Sequence, residues 1–235
     1  MKNRFYGDVN DYIKYGILEI LSSKYKSIGI NWYLTDDNHG NQNHGNKTDY
    51  LDDTKKWKNF NPRIFNLLAQ RIKAQQRSIA YCRQDNLVVF KSEFTDQLPD
   101  NISLQTYKKS RDDWHNRAKG NLKGCDLIFL DPDIGVKDGL SKDVVKDSEY
   151  CLVNEIEDYQ WCDWLIVQFL ARKKRYQALM TNPIVIRAEK QRKKVMVFIY
   201  GGMALLYISK TLNAEILSHV FKDWDTKVDT KVLVP

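Results

Sequence analysis

Short apolar runs, each bounded by glycine, proline or polar residues, recur along the chain and predict the strands of a sheet. The clearest run is DLIFLD at residues 126–131, between Gly124 and Pro132. Large apolar residues without alternation are typical of a strand that is buried on both faces of a parallel sheet. Further runs predict strands at residues 28–34, 86–94, 163–170, 195–200 and 203–209, and a closing strand fragment at 232–234.

A glycine pair, Gly201-Gly202, separates the last two long runs and is a turn signal for an antiparallel hairpin. Helices are predicted between several of the earlier strands, and this order of elements indicates an α/β fold. We therefore expect a single domain over residues 1–235, with a Rossmann-like, mostly parallel sheet that ends in a C-terminal antiparallel hairpin.

Helical spacing of apolar residues predicts one helix at residues 8–23 and another at 62–76. Residues 50–58 are expected to form a short helix or turn, residues 141–158 an acidic helix, and residues 212–224 a last helix or loop. Residues 98–120 are predicted to be a polar, irregular insertion. Within it, Trp114, His115 and Arg117 are candidates for contact with a base or phosphate, and Trp114 also fits a packing anchor.

Composition narrows the class of protein. Of the 235 residues, 43% are hydrophobic and 29% are charged, which argues against disorder and against a fibrous repeat. The four cysteines show no CxxC spacing, which argues against a zinc knuckle and a secreted disulfide framework. Because no apolar run is long enough to cross a bilayer and the first residues lack the apolar core of a signal peptide, we expect a cytoplasmic protein without a membrane partner. The sequence leaves the oligomeric state open.

The formal net charge of +7 is concentrated in one segment. Residues 172–194 carry nine lysines and arginines against one acid, Glu189, so this segment alone contributes +8 and the rest of the chain −1. A solvated helix face is one interpretation, but such a concentration favours binding of a nucleic-acid phosphate backbone. The candidate nucleic-acid-binding residues are Arg172, Lys173, Lys174, Arg175, Arg192, Lys193 and Lys194.

The candidate catalytic residues, Asp131, Pro132 and Asp133, directly follow the predicted buried strand. Ligands of open α/β sheets bind beyond the carboxyl ends of the strands, so two carboxylates at a strand end are well placed for a site. A turn in which both acids accept backbone N–H groups is the alternative. Gly135 would allow a turn or a close approach of the backbone.

Three further groups of polar residues are expected at the same edge of the sheet. The first helix begins with more polar side chains than capping requires, and among them are Asn10 and Lys14. After the strand at 28–34, the polar loop 35–48 contains Asp36 and Asp37 at the position where a nucleotide-type cofactor binds. Its His39 and His44 offer a metal site as an alternative, and disorder is another. Glu93, near the end of the strand at 86–94, is placed to accept hydrogen bonds from a ribose.

This order of elements resembles the class I S-adenosylmethionine-dependent methyltransferases, and more closely the bacterial 23S ribosomal RNA adenine-N6 methyltransferase family. The family begins with an Asn-x-x-x-x-Lys helix, matched here by Asn10 and Lys14. Its first strand and cofactor loop are matched by residues 30–40, and a following segment by Thr48-Asp-Tyr-Leu51. Its catalytic Asp-Pro-Pro-Tyr is matched by Asp131-Pro132-Asp133-Ile134.

The resemblance implies a cofactor, S-adenosylmethionine, with Asn10, Lys14, Asp36, Asp37 and Glu93 as cofactor-binding residues. It also implies that Asp131 accepts a hydrogen bond from the amine that is methylated. Two departures stand out. The cofactor loop is rich in asparagine and histidine instead of glycine, and Ile134 cannot stack on a base as the family's aromatic residue does.

Three hypotheses follow from the sequence. The first is an amino-methyltransferase that acts on a base of RNA or DNA. The second is a nuclease or phosphotransferase of a phage-defence type that uses Asp131 and Asp133 to hold Mg²⁺. The third is a non-catalytic adaptor that retains the fold and the basic segment, because a fold does not dictate a function.

Overall fold

The computed structural model describes residues 1–38, 47–99, 103–170, 175–211, 224 and 226–234. Its helices are α1 Val9–Ser22, α2 Thr54–Trp57, α3 Pro62–Lys73, α4 Ala80–Gln84, α5 Leu104–Asn121, α6 Val144–Ser148, α7 Val153–Glu157, α8 Arg175–Met180 and α9 Pro183–Lys190. Its strands are β1 Ile28–Asn31, β2 Ser92–Phe94, β3 Leu127–Leu130, β4 Gly135–Lys137, β5 Tyr150–Leu152, β6 Asp163–Phe169, β7 Lys194–Tyr200, β8 Met203–Ser209 and β9 Asp229–Val234. Short 3₁₀ turns lie at Asn3–Phe5 and Asp49–Leu51.

Within the described residues, seven strands form one sheet in the order β2-β1-β3-β6-β8-β7-β9. The first four of these strands are parallel, and β8 pairs antiparallel with both β6 and β7. The second strand of the predicted hairpin is therefore inserted between β6 and β7. The expected fold is confirmed: a Rossmann-like, mostly parallel sheet with a C-terminal antiparallel hairpin.

The central strand β3 is buried on both faces, as its run of apolar residues predicts. Leu127 and Phe129 pack into the core on one face with α1 and α3, whereas Ile128 and Leu130 pack on the other with α5, α7 and α9. This alternation follows from the two-residue period of a strand. Because β1, β3 and β6 run parallel, their carboxyl ends meet at one edge of the sheet.

The prediction for residues 98–120 is wrong, because most of this segment is the regular helix α5. Ser103 caps the helix by accepting a hydrogen bond from the N–H of Thr106. Tyr107, Arg111, Trp114 and Ala118 then form a buried stripe at helical spacing. The stripe was missed because one of its members is an arginine. Trp114 is a packing anchor, as one interpretation of the sequence has it, and its indole N–H donates to the Asp96 carbonyl.

Two other segments differ from their predictions. Only the last three residues of the predicted strand 86–94 form β2, because the Arg63 guanidinium binds the carbonyl oxygens of Asn86 and Leu87 and removes them from a strand ladder. Residues 141–158 form two short helices, α6 and α7, that flank β5. The predicted element at 212–224 lies outside the described residues except for Trp224. No helix in the part of the chain that the structure describes has the length and apolarity that crossing a bilayer demands.

Candidate functional site

Lys14 and Asp131, 117 positions apart in the chain, meet at the carboxyl edge of the sheet. The Lys14 ammonium lies 3.0 Å from both oxygens of the Asp131 carboxylate. Both side chains are buried, Lys14 at 4% exposure and Asp131 at 1%. The helix and the strand predicted to form the site therefore do converge, and they place a cation against the carboxylate that follows β3.

The start of α1 adds two more carboxylates to this cluster. Asp11 forms an ion pair of 2.6 Å with Lys14 and accepts hydrogen bonds from the N–H of Gly7 and the hydroxyl of Tyr15. Asp8 is the N-cap of the helix, and it accepts from the N–H of Asp11 and from the Asn10 amide. Asn10, a predicted cofactor-binding residue, is thus buried and engaged within the cluster.

Three buried carboxylates lie around one ammonium, and the pKa values of Asp8, Lys14 and Asp131 are shifted as a result. Burial, together with the neighbouring Asp11 carboxylate, raises the pKa of Asp8 to about 7, although the Lys14 ammonium acts to lower it. Burial also raises the pKa of Asp131, an effect that the Lys14 ammonium opposes. The three carboxylates together raise the pKa of Lys14 despite the burial of its ammonium, so this lysine stays protonated and cannot act as a base near neutral pH.

The raised pKa of Asp8 makes the stability of the protein depend on pH. Because the folded state holds this proton more tightly than the unfolded state, the free energy of unfolding should fall as pH rises from about 4 to about 7. Asp8→Asn retains a good N-cap and removes the titration, so it should stabilise the protein above pH 7 by up to about 4 kcal/mol.

Urea unfolding between pH 4 and pH 8 measures this difference. The same substitution at Asp143, an exposed N-cap of α6, controls for the change of capping residue. If Asp8→Asn followed the pH profile of the unmodified chain, Asp8 would not be the titrating group.

Asp133 forms a second ionic cluster beside the first. Its carboxylate lies 2.6 Å from the Lys2 ammonium and 3.0 Å from the α-ammonium of Met1, and it accepts a hydrogen bond of 2.6 Å from the Thr35 hydroxyl. The same α-ammonium donates to the Tyr33 carbonyl. Burial acts to raise the pKa of Asp133, but these two cations outweigh it and lower the pKa to about 2.

The first two residues therefore cover this part of the sheet edge, each at 2% exposure. Sequence reasoning identified Asp133 but missed Lys2 and Thr35. An isolated lysine or threonine carries no motif, and only the fold brings these residues to the strand end. Pro132 links the two aspartates, and its backbone places them in separate ionic clusters.

The predicted cofactor acids lie near these clusters, with partners of their own. Asp36 accepts hydrogen bonds from the backbone N–H and the side chain of Asn38, which is a local turn. Asp37 contacts Arg4 in the N-terminal turn. Glu93 accepts from the Trp32 indole at 3.1 Å and forms an ion pair with Arg83. His39 and His44 lie outside the described residues, and among the described residues no three or more His, Cys, Asp or Glu side chains are arranged so that they could hold a metal ion.

The basic segment is divided between opposite edges of the sheet. Strand β7 runs parallel to β6, and Ile208 of β8 faces both Trp164 near the start of β6 and Val195 near the start of β7. Arg192, Lys193 and Lys194 therefore lie at the amino edge, about 20 Å of strand away from the edge that bears Asp131.

Arg175 comes after the carboxyl end of β6, whereas Arg172, Lys173 and Lys174 lie outside the described residues.

Lys193 is buried, with its ammonium 3.2 Å from the centre of the Trp164 ring, and burial lowers its pKa to about 8. Lys193 is therefore a packing residue rather than an exposed phosphate ligand.

The two candidate base contacts on α5 are also engaged. His115 is buried and contacts the Asp158 carboxylate at 3.1 Å, and burial lowers its pKa. Arg117 forms an exposed pair with Asp96. Neither residue belongs to the clusters around Asp131 and Asp133.

An open pocket of about 320 Å³ lies beside the start of α1. Val9, which follows the N-cap Asp8, lines it together with Tyr50, Trp57 and Tyr200. Tyr50 belongs to the segment Thr48-Asp-Tyr-Leu51, and Tyr200 is the last residue of β7, at the carboxyl edge of the sheet.

Comparison of the chain with known protein families, curated proteins and solved structures finds no match.

Proposed function

We propose that this protein is an S-adenosylmethionine-dependent methyltransferase that acts on an amino group of a nucleic-acid base in the cytoplasm. The observation that carries the proposal is the pairing of Lys14 with Asp131 at the carboxyl edge of the parallel sheet. A carboxylate beyond a buried strand is where open α/β sheets place their chemistry. The insertion of β8 between β6 and β7 gives further support, because the resemblance implies a sheet that ends in an antiparallel hairpin.

In the proposed reaction, Asp131 accepts a hydrogen bond from the exocyclic amine and directs the nitrogen lone pair towards the methyl group. Lys14 is a positioning residue. Its permanent charge opposes the effect of burial on the Asp131 carboxylate, and its contact with both oxygens fixes the plane of that carboxylate.

The polar groups near Asp133 fit the amino-acid part of the cofactor. A carboxylate and the Tyr33 carbonyl already surround an α-ammonium there, and the Thr35 hydroxyl is a further polar group at the same place. In the proposal, Asp133 and Tyr33 would hold the ammonium of S-adenosylmethionine, which supplies the electrophilic methyl group when bound. Because Met1, Lys2 and Asp131 are almost completely buried, ligand entry requires the first residues to move.

Calorimetric titration with S-adenosylhomocysteine tests cofactor binding directly. We expect saturable binding, and transfer of labelled methyl groups from S-adenosylmethionine to RNA or DNA. Asp131→Asn should retain binding of S-adenosylhomocysteine and lower methyl transfer by about 100-fold or more, since it removes the negative charge of the acceptor and replaces one of its oxygens by an NH₂ donor.

Asp126→Asn is the matched control, because Asp126 is exposed at the other end of the same strand run. It should leave both measurements unchanged. Absence of binding at millimolar S-adenosylhomocysteine would remove the proposal. Nucleic-acid binding without cofactor binding would instead select the adaptor hypothesis.

No observation favours the metal-dependent alternative over this proposal. In the described residues, Asp131 pairs with Lys14 while Asp133 pairs with Lys2, so the two carboxylates serve different ammonium groups instead of converging on one point. A Mg²⁺ ion would need oxygen ligands that face a common centre.

A further inference from the structure

The pocket beside α1 has three fixed aromatic walls. The rings of Tyr50 and Trp57 meet edge to face at 5.9 Å, and those of Trp57 and Tyr200 at 5.8 Å. Tyr50 and Trp57 are buried among other core side chains and Tyr200 is half-buried, so packing holds the rings in place. The volume of about 320 Å³ lies at the lower end of the range for small-molecule sites and suits one planar ring system.

The polar groups of the pocket match the edge of a base. Asp49 and Asp53 line it and offer carboxylate acceptors to exocyclic amines, while Lys47 supplies a donor. Tyr200, the most exposed of the three walls, offers a ring surface on which any base can stack. The pocket thus provides an aromatic surface of the kind that Ile134 does not provide.

Lysines stand at the rim of the pocket, beside the exposed acids Asp52 and Asp53. Lys55 and Lys56 are exposed on α2, and the Lys227 ammonium lies 4.6 Å from the centre of the Trp57 ring. Lys56 directly precedes Trp57 on α2, so Lys56 and Lys227 both adjoin Trp57. Partial burial lowers the pKa of Lys227, and repulsion from Lys56 lowers it further while Asp53 opposes the change. A phosphate between them would relieve this repulsion.

We infer that the pocket binds an unpaired base of a single-stranded nucleic acid, with a neighbouring phosphate held by Lys56 and Lys227. The inference rests on the proposed function in taking this nucleic acid as the methyl acceptor, and it adds the substrate class. A base stacked within a duplex cannot enter a pocket, so single strands are bound in preference to duplexes.

Fluorescence anisotropy with a labelled single strand of about 8 nucleotides measures this binding. Tyr200→Leu is expected to weaken it about tenfold, because it removes a stacking surface. Trp57→Leu should weaken it about as much, because Trp57 lines the pocket and packs edge to face against Tyr200. Trp161→Leu is the matched control, since Trp161 is exposed just before β6 at the opposite edge of the sheet. Replacing Lys56 and Lys227 with glutamine should lower the slope of log affinity against log salt concentration by about 1 to 2.

The outcomes separate this inference from the proposed function. Thermal melting identifies any variant that fails to fold, and Tyr200→Leu, at a half-buried position, serves if Trp57→Leu unfolds. Unchanged single-strand affinity in folded Tyr200→Leu, or a duplex bound as tightly as the single strand, would overturn the pocket assignment even if S-adenosylhomocysteine binds. Conversely, weakened binding in the pocket variants of a protein that does not bind S-adenosylhomocysteine would support the pocket and remove the methyltransferase.

Discussion

Arg111→Met is expected to lower the free energy of unfolding by about 3–5 kcal/mol near pH 7. Arg111 is 1% exposed and holds the Glu155 carboxylate through two hydrogen bonds, of 2.6 and 2.9 Å. It also donates to the carbonyl oxygens of Asp147 and Tyr150. Methionine would fill much of the space but leave a buried charge and two carbonyl groups without their partner. Urea unfolding followed by circular dichroism measures the change.

The same helix contains a matched control. Arg117 pairs with Asp96 at the surface, with both side chains about half exposed, so Arg117→Met should cost at most about 1 kcal/mol. Combining Arg111→Met with Glu155→Leu should recover much of the lost stability, because the double variant leaves no buried charge unpaired. Equal losses for Arg111→Met and Arg117→Met would show that burial of the Arg111 pair has no energetic consequence.

The Arg111–Glu155 pair also shows where sequence patterns stop being informative. Periodicity identified α1, β3, β6 and the hairpin because their apolar residues recur at regular spacing and face a core. The stripe on α5 has the same spacing but includes Arg111, whose burial is possible only because Glu155 arrives from α7. A residue whose partner is 44 positions away leaves no local signal.

The candidate site was predictable to the same extent. Parallel strands bring their carboxyl ends together, so the sequence could place Lys14 and Asp131 at one edge, and the structure confirms that they meet. The partners of Asp133 could not be derived from the sequence. They are the Met1 α-ammonium and the Lys2 side chain, which reach Asp133 only because the folded chain brings the first residues to this edge of the sheet. The basic segment shows the converse: Arg175 and Lys194 are close in sequence, but Arg175 follows the carboxyl end of β6 whereas Lys194 begins β7 at the amino edge.

Lys14→Met is expected to lower the free energy of unfolding by about 3–5 kcal/mol at pH 7, because the lysine is the ammonium that Asp11 and Asp131 contact. Without it, burial should raise the pKa of Asp131 further above its unfolded value. Protonation of this buried carboxyl group stabilises the folded variant at low pH, and this stabilisation is lost as pH rises. The stability of the variant should therefore approach that of the unmodified protein near pH 4 and fall below it towards pH 8.

Unfolding in urea across this range measures the divergence, and Lys119→Met, which removes the exposed Lys119–Asp158 pair, is the control. A loss of stability that did not change with pH would mean that Lys14 acts through packing and that its charge does not set the ionisation of Asp131. In that case the lysine could not be what keeps the proposed acceptor carboxylate charged.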